Sequence, residues 1–203
     1  PTLNLSLGDI IQSLRKISEV PICVITNSSL VGRKEIQNNL EEADLVVATL
    51  VSGNEDTWRK IHRPAPGINL IEIIEGLRKL AKAGNGKRLA LEVMFLESET
   101  GEPLNTTDEE LEELIKVIRY ICPEEIEILT ISRPPSEKWV KPVPEEKLRK
   151  IANRFISEFG DKKVRLVLKG EKKKAKILHK NLDEEVYALL LRRPCTFEQT
   201  WQS

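Results

Sequence analysis

Four short apolar runs constrain this chain more than anything else in it: VPICVIT, LVVATL, LALEVMFL and IEILTI, in that order. Each is bounded by turn-forming or charged residues, and each is rich in Val, Ile and Leu. Runs of this length and continuity predict strands of a parallel sheet covered on both faces. The expected strands are 22–26, 45–50, 89–96 and 126–131. Between them the apolar residues switch to helical spacing. Leu7, Ile10, Ile11, Leu14 and Ile17 predict a helix over 7–17. Further helices are expected over 35–40, 69–83, 106–121 and 144–159. The helix over 106–121 opens with Thr107 followed three residues later by Glu110, the pattern of a capping box. Strand, helix, strand, helix leaves two architectures open, an open doubly wound sheet and a β/α barrel.

The polar residues sit after the strands. Thr26-Asn27-Ser28-Ser29 follows the first, 49–56 the second, Glu97-Ser98-Glu99 the third and Ser132-Arg133-Pro134-Pro135 the fourth. In both architectures the carboxyl ends of parallel strands converge on the ligand site, so a polar cleft is expected there. Loops after strands are polar in any case, and each residue has a plainer reading. Thr26 and Asn27 suit a cap and turn, and Thr49 suits an ordinary strand end. Glu92, inside an apolar strand, must be paired or wet if charged. His62 reads as a half-buried loop histidine and Trp58, at helical spacing from Ile61, as packing.

Composition narrows the classes. Hydrophobic residues make up 40% of the 203 positions, enough for a sizeable core, and aromatics only 4%. Lys plus Arg equals Asp plus Glu at 32 each, so overall charge argues for no acidic or nucleic-acid partner. No run is long enough for a membrane helix. Cys23, Cys122 and Cys195 are far apart and fall in no metal-ligand spacing, the mark of structural thiols in a reducing, cytoplasmic setting.

Past Gly160 the character changes. From Asp161 to Lys180 there are nine Lys and Arg against two acidic residues. Strands over 164–168 and 175–178 are expected to form a basic hairpin, and the helix–turn–helix pattern that follows looks like the start of a winged helix. The chain therefore divides into 1–160, a β/α unit, and 161–203, a small α+β appendage. The hairpin reads either as a solvated face or as a grip on RNA phosphates.

The phrases PTLN, VITNSSL, ADLVVATLVSGNEDTWRKIHRP, LEVMFL and LTISRPPSEKWVKPV, in this order, resemble the radical S-adenosylmethionine (SAM) Fe–S oxidoreductases related to the wyosine-type tRNA-modifying enzymes. The resemblance covers about residues 1–143, and LLLRRPCTFEQ is similar to the tail of the same group. It implies a partial (β/α)6 TIM-like barrel, strands three to six, lacking the first strands, with the winged-helix-like segment behind it. It also implies S-adenosylmethionine as cofactor. A [4Fe–4S] cluster is implied only with a CxxxCxxC loop upstream of Pro1, so this chain alone is expected to be inactive. Pro1 and Thr2 would end a Gly-Glu-Pro-Thr-Leu loop that holds the cofactor's amino group. Thr26 and Asn27 match the polar pair near the nucleoside, and Thr49 a hydroxyl near the ribose. Glu92 matches an acidic strand position, Arg63-Pro64 a loop ending, and Arg133 an Arg-Pro-Pro after the last strand. Val51 stands where relatives have aspartate, and SETGEPLN departs from the usual Gly-Val-Asn-Asp turn.

The resulting expectation is a radical SAM oxidoreductase-type protein acting on an unknown substrate, with tRNA a candidate. A non-catalytic barrel scaffold and a tRNA-binding adaptor are the alternatives. With strands missing on one side, the strand at 22–26 is expected to present an open edge through which the chain self-associates.

Overall fold

The computed structural model describes residues 2–83, 88–102 and 104–168. Its elements run α1 (Leu7–Ile17), β1 (Cys23–Thr26), α2 (Lys34–Leu40), β2 (Leu45–Thr49), α3 (Glu55–His62), α4 (Leu70–Lys82), β3 (Arg88–Ser98), α5 (Asp108–Ile121), β4 (Glu125–Thr130), β5 (Val140–Pro142), α6 (Glu145–Phe159) and β6 (Val164–Leu166). Local chemistry sets the helix starts. The side-chain oxygen of Asn54 accepts from the amides of Asp56 and Thr57, that of Asn69 from Glu72, and that of Thr107 from Glu110. The capping box at Thr107 is half formed. The Glu110 carboxylate does not return to the cap but accepts from the Ser52 and Thr57 hydroxyls, each at 2.6 Å.

Five strands are parallel and lie in the order β1-β2-β3-β4-β6, while β5 pairs antiparallel with the end of β3. Strands that neighbour one another in chain order, joined by right-handed crossovers, collect their helices on one face. That decides between the two architectures left open by the sequence: the chain is a partial β/α barrel. It also corrects the expectation of a sheet covered on both faces. Side chains alternate between buried and part-exposed along β1, β2 and β4. The helix-facing layer is closed and the opposite, lumen face is half open.

The core lies between helices and sheet. Val24, Val46, Ala48, Leu89, Leu91, Val93, Phe95, Ile126 and Ile128 meet Ile36, Leu40, Ile73, Leu77, Leu114, Ile118, Ile121 and Phe155. Each large side chain so buried is worth roughly 1.5–3 kcal/mol. Helix α4 comes so close to the loop after β1 that a Cβ on Gly76 would collide with the Val31 carbonyl.

Val164–Leu166, expected as the first arm of a basic hairpin, is instead a parallel strand of the main sheet beside β4. The sheet thus runs on past residue 160. Residues 175–178 and the winged-helix-like segment lie outside the described residues. At the other end of the sheet, β1 has no strand on its outer edge among the described residues. Beside it Ile10, Leu14, Ile17 and Val20 are exposed, Ile17 to 80%. Among the described residues no helix is long and apolar enough to cross a membrane.

Candidate functional site

Strand parity decides which polar residues reach the lumen. Thr49 pairs in register with Glu92, and Glu92 with Glu127, so the three stand in a row across the lumen face. The Thr49 hydroxyl donates to Glu92 Oε1 at 3.3 Å. Arg165 lies 3.4 Å from the Glu127 carboxylate. Burial pushes the Glu127 carboxyl above its ordinary range; Arg165 pulls it down, and the carboxylates of Glu125 and Glu92 push it up again.

Toward the carboxyl ends of β3 and β4, this face opens into a cavity of about 410 Å³. Glu92, Met94 and Leu129 contribute from the strands, Arg133 and Trp139 from the segment after β4, and Arg63 from the end of α3. A cavity of this size is in the range of small-molecule sites. The 131–139 segment is held over it at several points. Arg63 pairs with Glu137 at 2.8 Å, the Glu99 amide donates to the Trp139 carbonyl at 2.9 Å, and Lys141 meets Glu99 at 2.7 Å. The Thr130 hydroxyl donates to the Phe95 carbonyl and accepts from the Val143 amide, each at 2.8 Å.

A second polar node fixes the strand ends beneath the cavity. Asn105 is 1% exposed. Its amide donates to the Val51 and Met94 carbonyls at 2.8 and 2.9 Å, and its oxygen accepts from the Leu96 amide at 2.9 Å. Asn105 lies in the SETGEPLN stretch, where the sequence showed only a departure from a familiar turn.

Of the expected site residues, Glu92 and Arg133 line one cavity and Thr49 is bonded to Glu92. Thr26 is elsewhere. It pairs with Ala48 on the helix side, is 3% exposed, and its oxygen accepts from the Ser28 amide. One residue of parity separates it from the lumen. Asn27 is exposed and spends its side-chain oxygen on the Ser29 amide and hydroxyl, which is the turn role. Thr2 is 4% exposed, and Pro1 lies outside the described residues. Trp58 packs as expected, His62 ends a helix rather than sitting in a loop, and Arg63, the residue after α3, lines the cavity. Trp58 is core, and His62 closes α3 with its Nε2 buried and unpartnered. Trp139 and Met94 were not singled out by sequence; their parity and register relative to Glu92 would have found Met94, while Trp139 carried no signal.

Comparison with known proteins follows this geometry. No family model matches the chain. It is 30% identical over 97% of its length to the GTPase Obg of Brachyspira hyodysenteriae and 32% identical over 96% to a UPF0026 protein of Methanocaldococcus jannaschii. It spans 28% and 58% of those two proteins. The chain contains no Gly-x-x-x-x-Gly-Lys-Ser/Thr phosphate loop. Among solved structures it superposes on a domain of a pyruvate-formate lyase-activating enzyme from Bacteroides vulgatus. The TM-score is 0.60 with 17% identity, over 82% of this chain and 93% of that one. This chain shares that fold. A radical SAM methyltransferase from Sphaerobacter thermophilus matches at TM-score 0.53 with 19% identity, over 71% of this chain and 40% of its own.

A hydroxyl and a carboxylate at strand ends, with Met94 and Leu129 beside them, can receive a ligand that offers hydroxyls or a positive charge. The described residues do not by themselves supply ligands for an iron–sulfur cluster. Among the described residues no group of three His, Cys, Asp or Glu is placed to hold a metal. Cys23 stands on the lumen face of β1 and Cys122 at the end of α5. The Cys23 thiol is pushed up by burial and then by Glu127, with Arg88 opposing.

Proposed function

We propose that the mouth of this barrel binds S-adenosylmethionine and that the protein works as a radical SAM-type oxidoreductase. The observation that carries this is the Thr49–Glu92 pair at the cavity floor, on a fold shared with such proteins. When bound, S-adenosylmethionine would supply a sulfonium whose one-electron reduction, by an electron from an iron–sulfur cluster held outside this chain, starts radical chemistry. The chain's own residues bind, orient and exclude water. Glu92 offers a carboxylate to sugar hydroxyls and a negative charge to the cationic end of the ligand. Thr49 fixes the orientation of that carboxylate, and Met94 and Leu129 give an apolar wall. The 131–139 segment, clamped by Arg63–Glu137, borders the cavity mouth and narrows it. The cluster would take its ligands from a CxxxCxxC segment that is not in this chain.

Calorimetric titration tests the reading. The protein is expected to bind both S-adenosylmethionine and S-adenosylhomocysteine. Glu92→Gln should weaken the cationic sulfonium about tenfold and the neutral thioether less, because a charged partner strengthens a hydrogen bond by roughly that factor. Absence of binding to wild type, or equal affinities in wild type and E92Q, sinks it.

A further inference from the structure

We propose that the substrate taken by this cavity carries an oxyanion, a carboxylate or a phosphate, and that Arg133 holds it. The inference rests on reading the cavity as the ligand site and goes beyond the cofactor to the molecule acted upon.

Two other arginines at this end of the barrel are engaged. Arg59 pairs with Glu55 at 2.6 Å and Arg63 with Glu137 at 2.8 Å. Arg133 lines the cavity, yet it makes no ion pair or hydrogen bond with any described residue. It is not a floppy surface arginine in its backbone. The following Pro134-Pro135 restricts residue 133 to extended conformations, so less freedom is lost when it grips a ligand. A guanidinium presents a planar fork matched to carboxylate and phosphate. Glu137 on Arg63 already shows a carboxylate seated against an arginine of the same wall.

Position separates this charge from the cofactor's contacts. Glu92 is on a strand, at the floor. Arg133 lies three residues beyond the end of β4 and is exposed, as are Pro134, Pro135 and Ser136. Between floor and rim stand Met94, Leu129, Ile131 and the Trp139 ring. The cavity thus runs from a negative floor, past an apolar and aromatic wall, to a positive rim open to solvent. A ligand already seated at Glu92 leaves the rim for the second molecule, whose anionic end would meet Arg133.

Two matched pairs of probes test this by calorimetry on the full chain, with and without S-adenosylhomocysteine. Uridine 5′-monophosphate against uridine reports phosphate, and 4-hydroxyphenylacetate against 4-methylphenol reports carboxylate. In at least one pair the anion should bind about tenfold tighter than its neutral partner, the size of a charge-assisted contact. Arg133→Gln should abolish that preference. Glu137→Gln, which frees Arg63, should enlarge it. Equal binding within both pairs, no binding at all, or a preference that survives R133Q overturns the proposal. The cofactor reading fails separately, through absent S-adenosylhomocysteine binding, while the anion preference is still read from the probe pairs.

Discussion

On the helix side of the sheet, Val46, Ala48, Leu91, Val93, Phe95, Ile126 and Ile128 are all but sealed from solvent. One residue along the same strands, Val47, Thr49, Glu92, Met94, Glu127 and Leu129 are only partly covered. The same backbone therefore supports two different environments. Apart from the Thr26 hydroxyl, the buried positions on the helix side of these strands carry no polar side chain, and their energy is dispersion and desolvation of apolar groups. The lumen side carries carboxylates, a hydroxyl and arginines whose charges have to be balanced or solvated. Stability is concentrated on one face, and the other is left free to meet ligands.

The sharpest way to break this contrast is a matched pair of truncations. Phe95 is fully buried and packs edge-on against Phe155, with ring centroids 6.0 Å apart. Phe95→Ala should cost about 3–5 kcal/mol, the range for aromatic truncation in a packed core. Val47→Ala on the lumen should cost less than about 1 kcal/mol, since a half-exposed site leaves no sealed void. Urea denaturation reads both; comparable losses would show that the two faces do not differ as described.

Next in size is the polar node that joins the faces. Asn105→Ala removes partners from the Leu96 amide and the Val51 and Met94 carbonyls, all near the buried strand ends. An orphaned buried group costs about 1–3 kcal/mol, so a loss near 3 kcal/mol is expected, accompanied by faster hydrogen exchange at Leu96. A loss below about 0.5 kcal/mol would mean that the node is dispensable.

The smallest effect concerns pH and belongs to the lumen alone. The Glu127 carboxyl is raised above its ordinary 4.5, chiefly by burial. A raised acid favours the folded state while protonated. Its contribution is therefore complete below the unfolded value and is lost as pH rises through the folded one. Glu127→Gln removes that loss. The stability of E127Q relative to wild type should thus improve between pH 4 and pH 7 in paired denaturation curves. A difference that is flat, or that moves the other way, contradicts the electrostatics of this face.

Much of the fold was legible from local pattern. Helix α1 falls where its spacing predicted, and α5 begins at its Thr107 cap. Helix α3 was not, because eight residues with only Trp58 and Ile61 as apolar anchors give too little periodicity. Strand β5 was also hidden: three residues that include Pro142 make sense only against the end of β3. At the site, Glu92 was visible as a charge in an apolar strand, and Arg133 as a cation fixed by prolines. The Arg63–Glu137 clamp was not, since 74 residues separate its ends.

By itself the sequence determined the order of the four main strands and five of the helices and the Thr107 cap that starts α5, because these follow from backbone and nearest-neighbour chemistry. It also determined which residue types follow each strand. Tertiary structure alone decided that 164–166 joins the main sheet beside β4, that the strands run in chain order, and that Thr49 rather than Thr26 faces the lumen. Those outcomes depend on register between segments distant in the chain, where shifting by one residue exchanges the two faces of the sheet.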